Sequence, residues 1–162
     1  MTSLFDVSDT ESDYVKGKYG TNQKKSGDVL EKLLYDFLRK KYNNAVIKKQ
    51  YNIFGSYVKS AATGKLRKKR YKVDIFLNND TIISIKNQNT GGTAEQKIMH
   101  EQHCIEDMFE NNPNLKRAFI VYKGKGFKVF DEEYEYIPSF KRSREYFSWI
   151  KILSYDEFVE NI

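Results

Sequence analysis

The stretch that most limits what this chain can fold into runs from Val73 to Gln88, VDIFLNNDTIISIKNQ. Two apolar, β-branched runs flank Asn78-Asn79-Asp80, a turn signal that closes a β-hairpin. Side chains alternate between the two faces of a strand. A loop of three residues pairs Leu77 with Thr81, Phe76 with Ile82 and Asp74 with Ser84. Lys86 then lies diagonally from Asp74 on the same face. The expected core face holds Val73, Ile75, Leu77, Ile83 and Ile85. The other face presents an acid, a hydroxyl, a lysine and, two residues on, Gln88. Such a polar face is either merely solvated or an active site built on a rigid hairpin. The rest of the chain bears on which.

The 162 residues suffice for one domain with a sizeable core, and 40% hydrophobic with 15% aromatic content excludes a disordered chain. A net charge of +6 suits an anionic partner, most simply nucleic acid. A single cysteine, Cys104, excludes an internal disulfide framework and suits a reducing compartment. No apolar run approaches the ~20 residues that span a bilayer, and the acidic, polar start from Met1 to Asp13 is unlike a signal peptide. The expectation is a cytoplasmic protein with no membrane contact.

Residues 1–24 carry an acidic patch (Asp6, Asp9, Glu11, Asp13) and read as an N-terminal arm, ahead of a single domain over 25–162. Residues 26–42 form the clearest helix, with Ser26 as its cap, Asp28 near its positive end and Arg39 to Lys41 near the other. Leu30, Leu33, Leu34, Phe37 and Leu38 make its buried stripe, and Glu31 sits at the margin of that stripe. A carboxylate there either leans out to solvent or needs a cationic partner. Val46 to Phe54 reads as a strand. Gly55 to Lys72 reads as a flexible turn passing into Lys65-Leu66-Arg67-Lys68-Lys69-Arg70-Tyr71-Lys72, six of whose eight residues are cationic. Gripping phosphates is their plainest use, a solvated ribbon or a localisation signal the bland alternative.

Beyond Lys86, Gly91-Gly92 makes a loop and Thr93 caps a second helix reaching Asn111. Its inner face is expected to use Ile98, His103 or Cys104, Ile105, Met108 and Phe109. His100, His103 and Cys104 lack the fourth ligand of a structural zinc site, so His103 and Cys104 read as packing residues. Ala118–Tyr122 is a short buried strand. Residues 131–148 are rich in tyrosine and charge and read as an insertion, with Arg142 and Arg144 as weaker phosphate-binding candidates. Trp149–Leu153 is a last strand, and Ser154 caps a terminal helix. The order α-β-β-β-α-β-(insert)-β-α is an α/β fold, a mixed central sheet flanked by helices.

In this order the residues resemble the PD-(D/E)xK nuclease superfamily, with its restriction-endonuclease-like core α-β-β-β-α-β. Glu31 matches the family's helix acid, Asp74 the hairpin aspartate, Lys86 the lysine, and Gln88 a glutamine often found two residues after it. The run Gln88-x-x-Gly-x-Thr-Ala-Glu-x-Lys-Ile98 also resembles a loop of some bacterial and phage members. The resemblance covers residues 26–125 and 149–160. One departure stands out: Ser84 occupies the place of the middle acid. In a related subgroup with Ser-x-Lys, the missing carboxylate comes from the following helix, which here implies Glu101, fifteen residues after Lys86, with Glu95 as the alternative.

The resemblance implies a Mg²⁺-dependent endodeoxyribonuclease (Mn²⁺ as substitute) cutting duplex DNA, of restriction or homing type, acting as a homodimer. Asp74, Glu101, Glu31 and the carbonyl of Ile85 are its expected metal donors. Lys86 would handle the attacking water, Gln88 would position phosphate or water, and Lys65, Arg67, Lys68, Lys69, Arg70 and Lys72 would grip DNA. Rival readings are a catalytically inactive nucleic-acid-binding module of the same fold, favoured by Ser84, and a junction-resolving or RNA-directed nuclease.

Overall fold

The structure, a computed structural model, describes residues 21–89, 94–127 and 149–162. The segment 1–20, the Gly91-Gly92 loop with Thr93, and the expected insertion at 131–148 with Arg142 and Arg144 lie outside the described residues.

Helix α1 (Thr21–Lys41) leads into β1 (Ile47–Lys59), β2 (Leu66–Leu77) and β3 (Thr81–Asn87). Helix α2 (Ala94–Asn111), β4 (Arg117–Lys123), a short 3-10 turn (Lys125–Phe127), β5 (Ile150–Ser154) and α3 (Tyr155–Asn161) follow. The five strands form one sheet in the order β1-β2-β3-β4-β5. The first three pair antiparallel, and β3-β4 and β4-β5 pair parallel, so α2 is the crossover that a parallel neighbour requires. This is the mixed α/β sheet expected from the element order.

Two cores lie on the two faces of the sheet. Leu30, Leu34 and Leu38 of α1, with Tyr155 and Phe158 of α3, cover Ile75, Leu77, Ile83, Phe119 and Val121. Ile98, Ile105 and Met108 of α2 cover Ile53, Val73, Phe76, Ile82 and Ile120 on the opposite face. Strands buried on both sides read as continuous apolar runs, which is why Ala118–Tyr122 lacks alternation. Ser154 caps α3 through its hydroxyl, which accepts the Glu157 N–H.

The hairpin turn forms as expected. Leu77 lies opposite Thr81 and Phe76 opposite Ile82, and Asn78 and Asn79 both take positive φ (53° and 58°), which asparagine tolerates best among residues bearing a Cβ. Four expectations need correction. Helix α1 starts at Thr21, so Ser26 lies inside it rather than capping it, and the helix takes in residues 21–24 of the segment read as an arm. Val73 joins Phe76 on the α2 face, because the backbone turns over beside Gln50, whose φ is +50°. His103 is no packing residue: its side chain is 74% exposed and faces Glu106 at 3.5 Å. Lastly, the strand expected to stop at Phe54 runs on to Lys59, so Gly55–Lys72 is no flexible turn. Only residues between Ser60 and Lys65 connect the strands, and the cationic run becomes half of a long two-stranded ribbon.

That ribbon is anchored to α2. The β1-β2 register shifts between Phe54 and Tyr57, a bulge that frees the Ser56 N–H. Asp107 of α2 accepts it with both carboxylate oxygens (3.2 Å each) and also takes the Tyr71 hydroxyl at 2.6 Å. Asn112 Nδ2 donates to the Phe54 carbonyl at 2.6 Å. Burial by itself would raise the Asp107 pKa, but the donors from Tyr71 and Ser56, with Lys69 nearby, bring it below the ordinary aspartate value. Gly55 is the residue that permits this approach, since a Cβ there would sit 2.1 Å from Asp107 Oδ2 and 2.7 Å from Tyr71 Cε2. Neither group can retreat without breaking these bonds. Gly55→Ala should therefore destabilise the protein by about 1–3 kcal/mol, read as a lower urea midpoint at unchanged slope. A midpoint equal to wild type would show that the close approach is not needed.

Candidate active site

The site is assembled where the hairpin opens. The β2-β3 ladder runs from Leu77/Thr81 to Ile75/Ile83 and stops there, while β3 continues its parallel pairing with β4 through Asn87. The expected Asp74–Ser84 pair is therefore not part of the ladder, since β3 follows β4 away from β2. An N–H facing the gap would be left unsatisfied at a cost. The Asp74 side chain fills that place: Oδ2 accepts the Ile85 N–H at 2.7 Å.

Behind Asp74, Gln50 joins it to α1. Gln50 Nε2 donates to Glu31 Oε2 at 2.8 Å and to Asp74 Oδ1 at 3.4 Å. Glu31, only 9% exposed, thus faces the sheet rather than solvent. Gln50 went unrecognised in the sequence. Its signal is the polar triplet Lys48-Lys49-Gln50 near the start of the strand, and its positive φ is a conformation that costs energy for a residue other than glycine.

On the α2 side, Lys86 Nζ pairs with Glu101 Oε2 at 2.7 Å, and Ser84 Oγ donates to Glu101 Oε1 at 2.7 Å. Helix α2 thus lays a carboxylate against Ser84, itself buried. The Glu95 side chain lies outside the described residues. Gln88 is buried at the end of β3, with its backbone clamped: its N–H donates to the Lys123 carbonyl and its own carbonyl accepts the Gly126 N–H. Gly124, at φ +114°, makes this fit possible, since a Cβ there would lie 2.2 Å from the Gln88 carbonyl oxygen.

The structure therefore gathers two neighbouring clusters, Glu31–Gln50–Asp74 and Ser84–Glu101–Lys86, whose charges act on one another at Asp74, and sets Gln88 two residues beyond Lys86. Lys65, Arg67, Lys68, Lys69, Arg70 and Lys72 stand apart from it, all exposed along the ribbon. His100 Nε2 and Cys104 Sγ approach to 3.6 Å, and burial together with the Glu101 charge holds the thiol pKa up. As they stand, no three Asp, Glu, His or Cys side chains among the described residues are gathered closely enough to hold an ion.

Charge in the group is crowded. Burial is the main cause that raises the Asp74 pKa, and Glu101 adds to it; the Ile85 N–H, Lys86 and Gln50 only partly offset this. Glu31 is raised as well, by burial first and then by Asp74. A carboxyl whose folded pKa is raised binds its proton more tightly when folded. Its stabilising effect is complete below the unfolded value and is lost as pH rises through the folded one. Ionised Asp74 is thus a cost to the fold at neutral pH. The variant Asp74→Asn, whose amide oxygen can still accept the Ile85 N–H, should melt above wild type at pH 7. That gain should vanish below the ordinary aspartate pKa of 3.8. Thermal melts across pH check this, and a lower Tm at pH 7 would contradict it.

A family model described as a PD-(D/E)XK nuclease superfamily domain matches residues 22–131. No curated protein matches the chain. Among solved structures, the crystal structure of SSO0001 is similar at a TM-score of 0.43 and 12% identity, over 77% of this chain and 73% of that one.

Proposed function

Because the chain belongs to the PD-(D/E)XK nuclease superfamily, we propose that it is a metal-dependent endodeoxyribonuclease hydrolysing phosphodiester bonds of duplex DNA. One observation carries the reading: α2 delivers Glu101 to the buried hydroxyl of Ser84 and to Lys86, each at 2.7 Å. This contact supports Glu101 as the stand-in for the carboxylate that position 84 lacks.

The donors suit a hard divalent cation in kind. All are oxygens, the Glu101 charge adds to the burial that raises the Asp74 pKa and the Asp74 charge to the burial that raises Glu31, and Lys86 pairs with Glu101. Asp74, Glu101 and the Ile85 carbonyl would hold Mg²⁺ or Mn²⁺, with Glu31 at the outer side through Gln50. Such an ion supplies Lewis-acid stabilisation of phosphate charge and an acidified water. Lys86, beside Glu101, would orient the attacking water and offset negative charge that grows in the transition state. Gln50 would keep Glu31 and Asp74 from turning apart. Gln88, held by its clamped backbone, would position phosphate or water. The cationic ribbon residues would bind the DNA backbone without reading sequence. A homodimer would give one such site for each strand.

The test is cleavage of supercoiled plasmid with Mg²⁺ or Mn²⁺. Wild type should nick or linearise it, and Asp74→Ala, Lys86→Ala and Glu101→Ala should each lose roughly a hundredfold or more in rate. Cleavage retained in Glu101→Ala would exclude it as the migrated acid. No cleavage of plasmid, branched DNA or RNA by wild type with either metal would leave a nucleic-acid-binding module of the same fold.

A further inference from the structure

The ribbon holds more than charge. Phe54 and Tyr57 are three residues apart, and in a regular strand they would point to opposite faces. The bulge between them changes this. Phe54 lies opposite Arg70 and Tyr57 opposite Lys68. Arg70 and Lys68 are two residues apart and share a face, so the two aromatic residues share it too. Leu66, opposite Lys59, continues the same row. It is the face turned away from α2, since Ile53, Tyr71 and Val73 pack on the other side.

All three apolar residues are left in water: Phe54 is 49% exposed, Tyr57 66% and Leu66 71%. A row of large exposed apolar side chains marks an interaction site more often than chance. Lys59, Lys68, Arg70 and Lys72 lie in the same row, and the Lys68 ammonium sits 5.5 Å from the Tyr57 ring centroid. Charge complementarity commits the occupant to a polyanion, and exposed rings among cations fit one that also offers flat π faces. Paired bases bury those faces in the duplex stack, whereas unpaired bases present them.

We infer that the outer face of the β1-β2 ribbon is a base-stacking platform for unpaired nucleotides of DNA, with Phe54 and Tyr57 as the stacking rings and Lys59, Lys68, Arg70 and Lys72 on the phosphates. The inference rests on the nuclease reading and sharpens its substrate to duplex flanked by a single-stranded segment. Lys72 stands two residues before Asp74, so a strand leaving the platform arrives at the opened hairpin. The Asp107 staple on α2 acquires a purpose here: it fixes the bulge that sets both rings outward.

Binding of metal-free protein to a forked duplex and to a blunt duplex of the same length, with 2-aminopurine in the unpaired arm, tests this. Wild type should prefer the fork, and the reporter's emission should fall as the base stacks. Phe54→Ala/Tyr57→Ala should cut the fork-over-blunt preference roughly tenfold or more, while Phe54→Trp and Tyr57→Phe keep it. Circular dichroism of each variant verifies the fold. No fork preference in wild type, equal losses on both DNAs, or a Phe54→Leu/Tyr57→Leu variant matching wild type would overturn the platform. The nuclease reading fails separately: fork-selective, ring-dependent binding without any cleavage sinks that reading alone, and duplex cleavage without fork preference sinks only this one.

Discussion

The arrangement depends on one hydrogen bond, from the Ile85 N–H to the Asp74 carboxylate at 2.7 Å. Strand β3 serves two neighbours, antiparallel β2 and parallel β4, and it stays with β4 after leaving β2. Closing the gap with backbone would bury the opening. Closing it with a side chain leaves a carboxylate at the mouth, close enough to Lys86 and Glu101 to feel both charges. The interaction thus repairs the sheet and concentrates acid at the same point. Burial there, with the neighbouring acids, raises the Asp74 and Glu31 pKa values.

Helix α2 is the second organising element, and it works in both directions. Near its middle Glu101 reaches Ser84 and Lys86, and farther along Asp107, with Asn112 just past the helix end, takes hold of the ribbon bulge. Ile98, Ile105 and Met108 between and around these contacts bury against the sheet, so the helix cannot slide without losing its core. One rigid body therefore fixes the acid beside Lys86 and the twist of the β1-β2 arm. The chemistry of the proposed site and the shape of the arm are set by the same packing.

Much of this was legible in local residues. Alternation and the Asn-Asn-Asp turn determined the hairpin and its Leu77/Thr81 register, and positive φ at both asparagines is the reason that tripeptide turns. The order of helices and strands determined the mixed sheet, and the six cationic residues among 65–72 foretold an exposed cationic surface. Helix spacing marked Glu31 as a carboxylate at the edge of an apolar stripe. These features depend on neighbours a few positions apart, which a sequence displays directly.

What only the tertiary structure decided involves residues far apart in the chain. Gln50 meets Glu31 and Asp74 because β1 turns over in a left-handed residue, a choice no propensity favours. Glu101 meets Ser84, seventeen residues away, because α2 packs back on the sheet. Phe54 and Tyr57 share a face because Asp107, some fifty residues on, holds a bulge open. Periodicity and turn chemistry are local energies and can be read from the sequence. Register breaks, strand divergence and long-range pairings follow from satisfying every buried polar group at once, and only the packed molecule contains that condition.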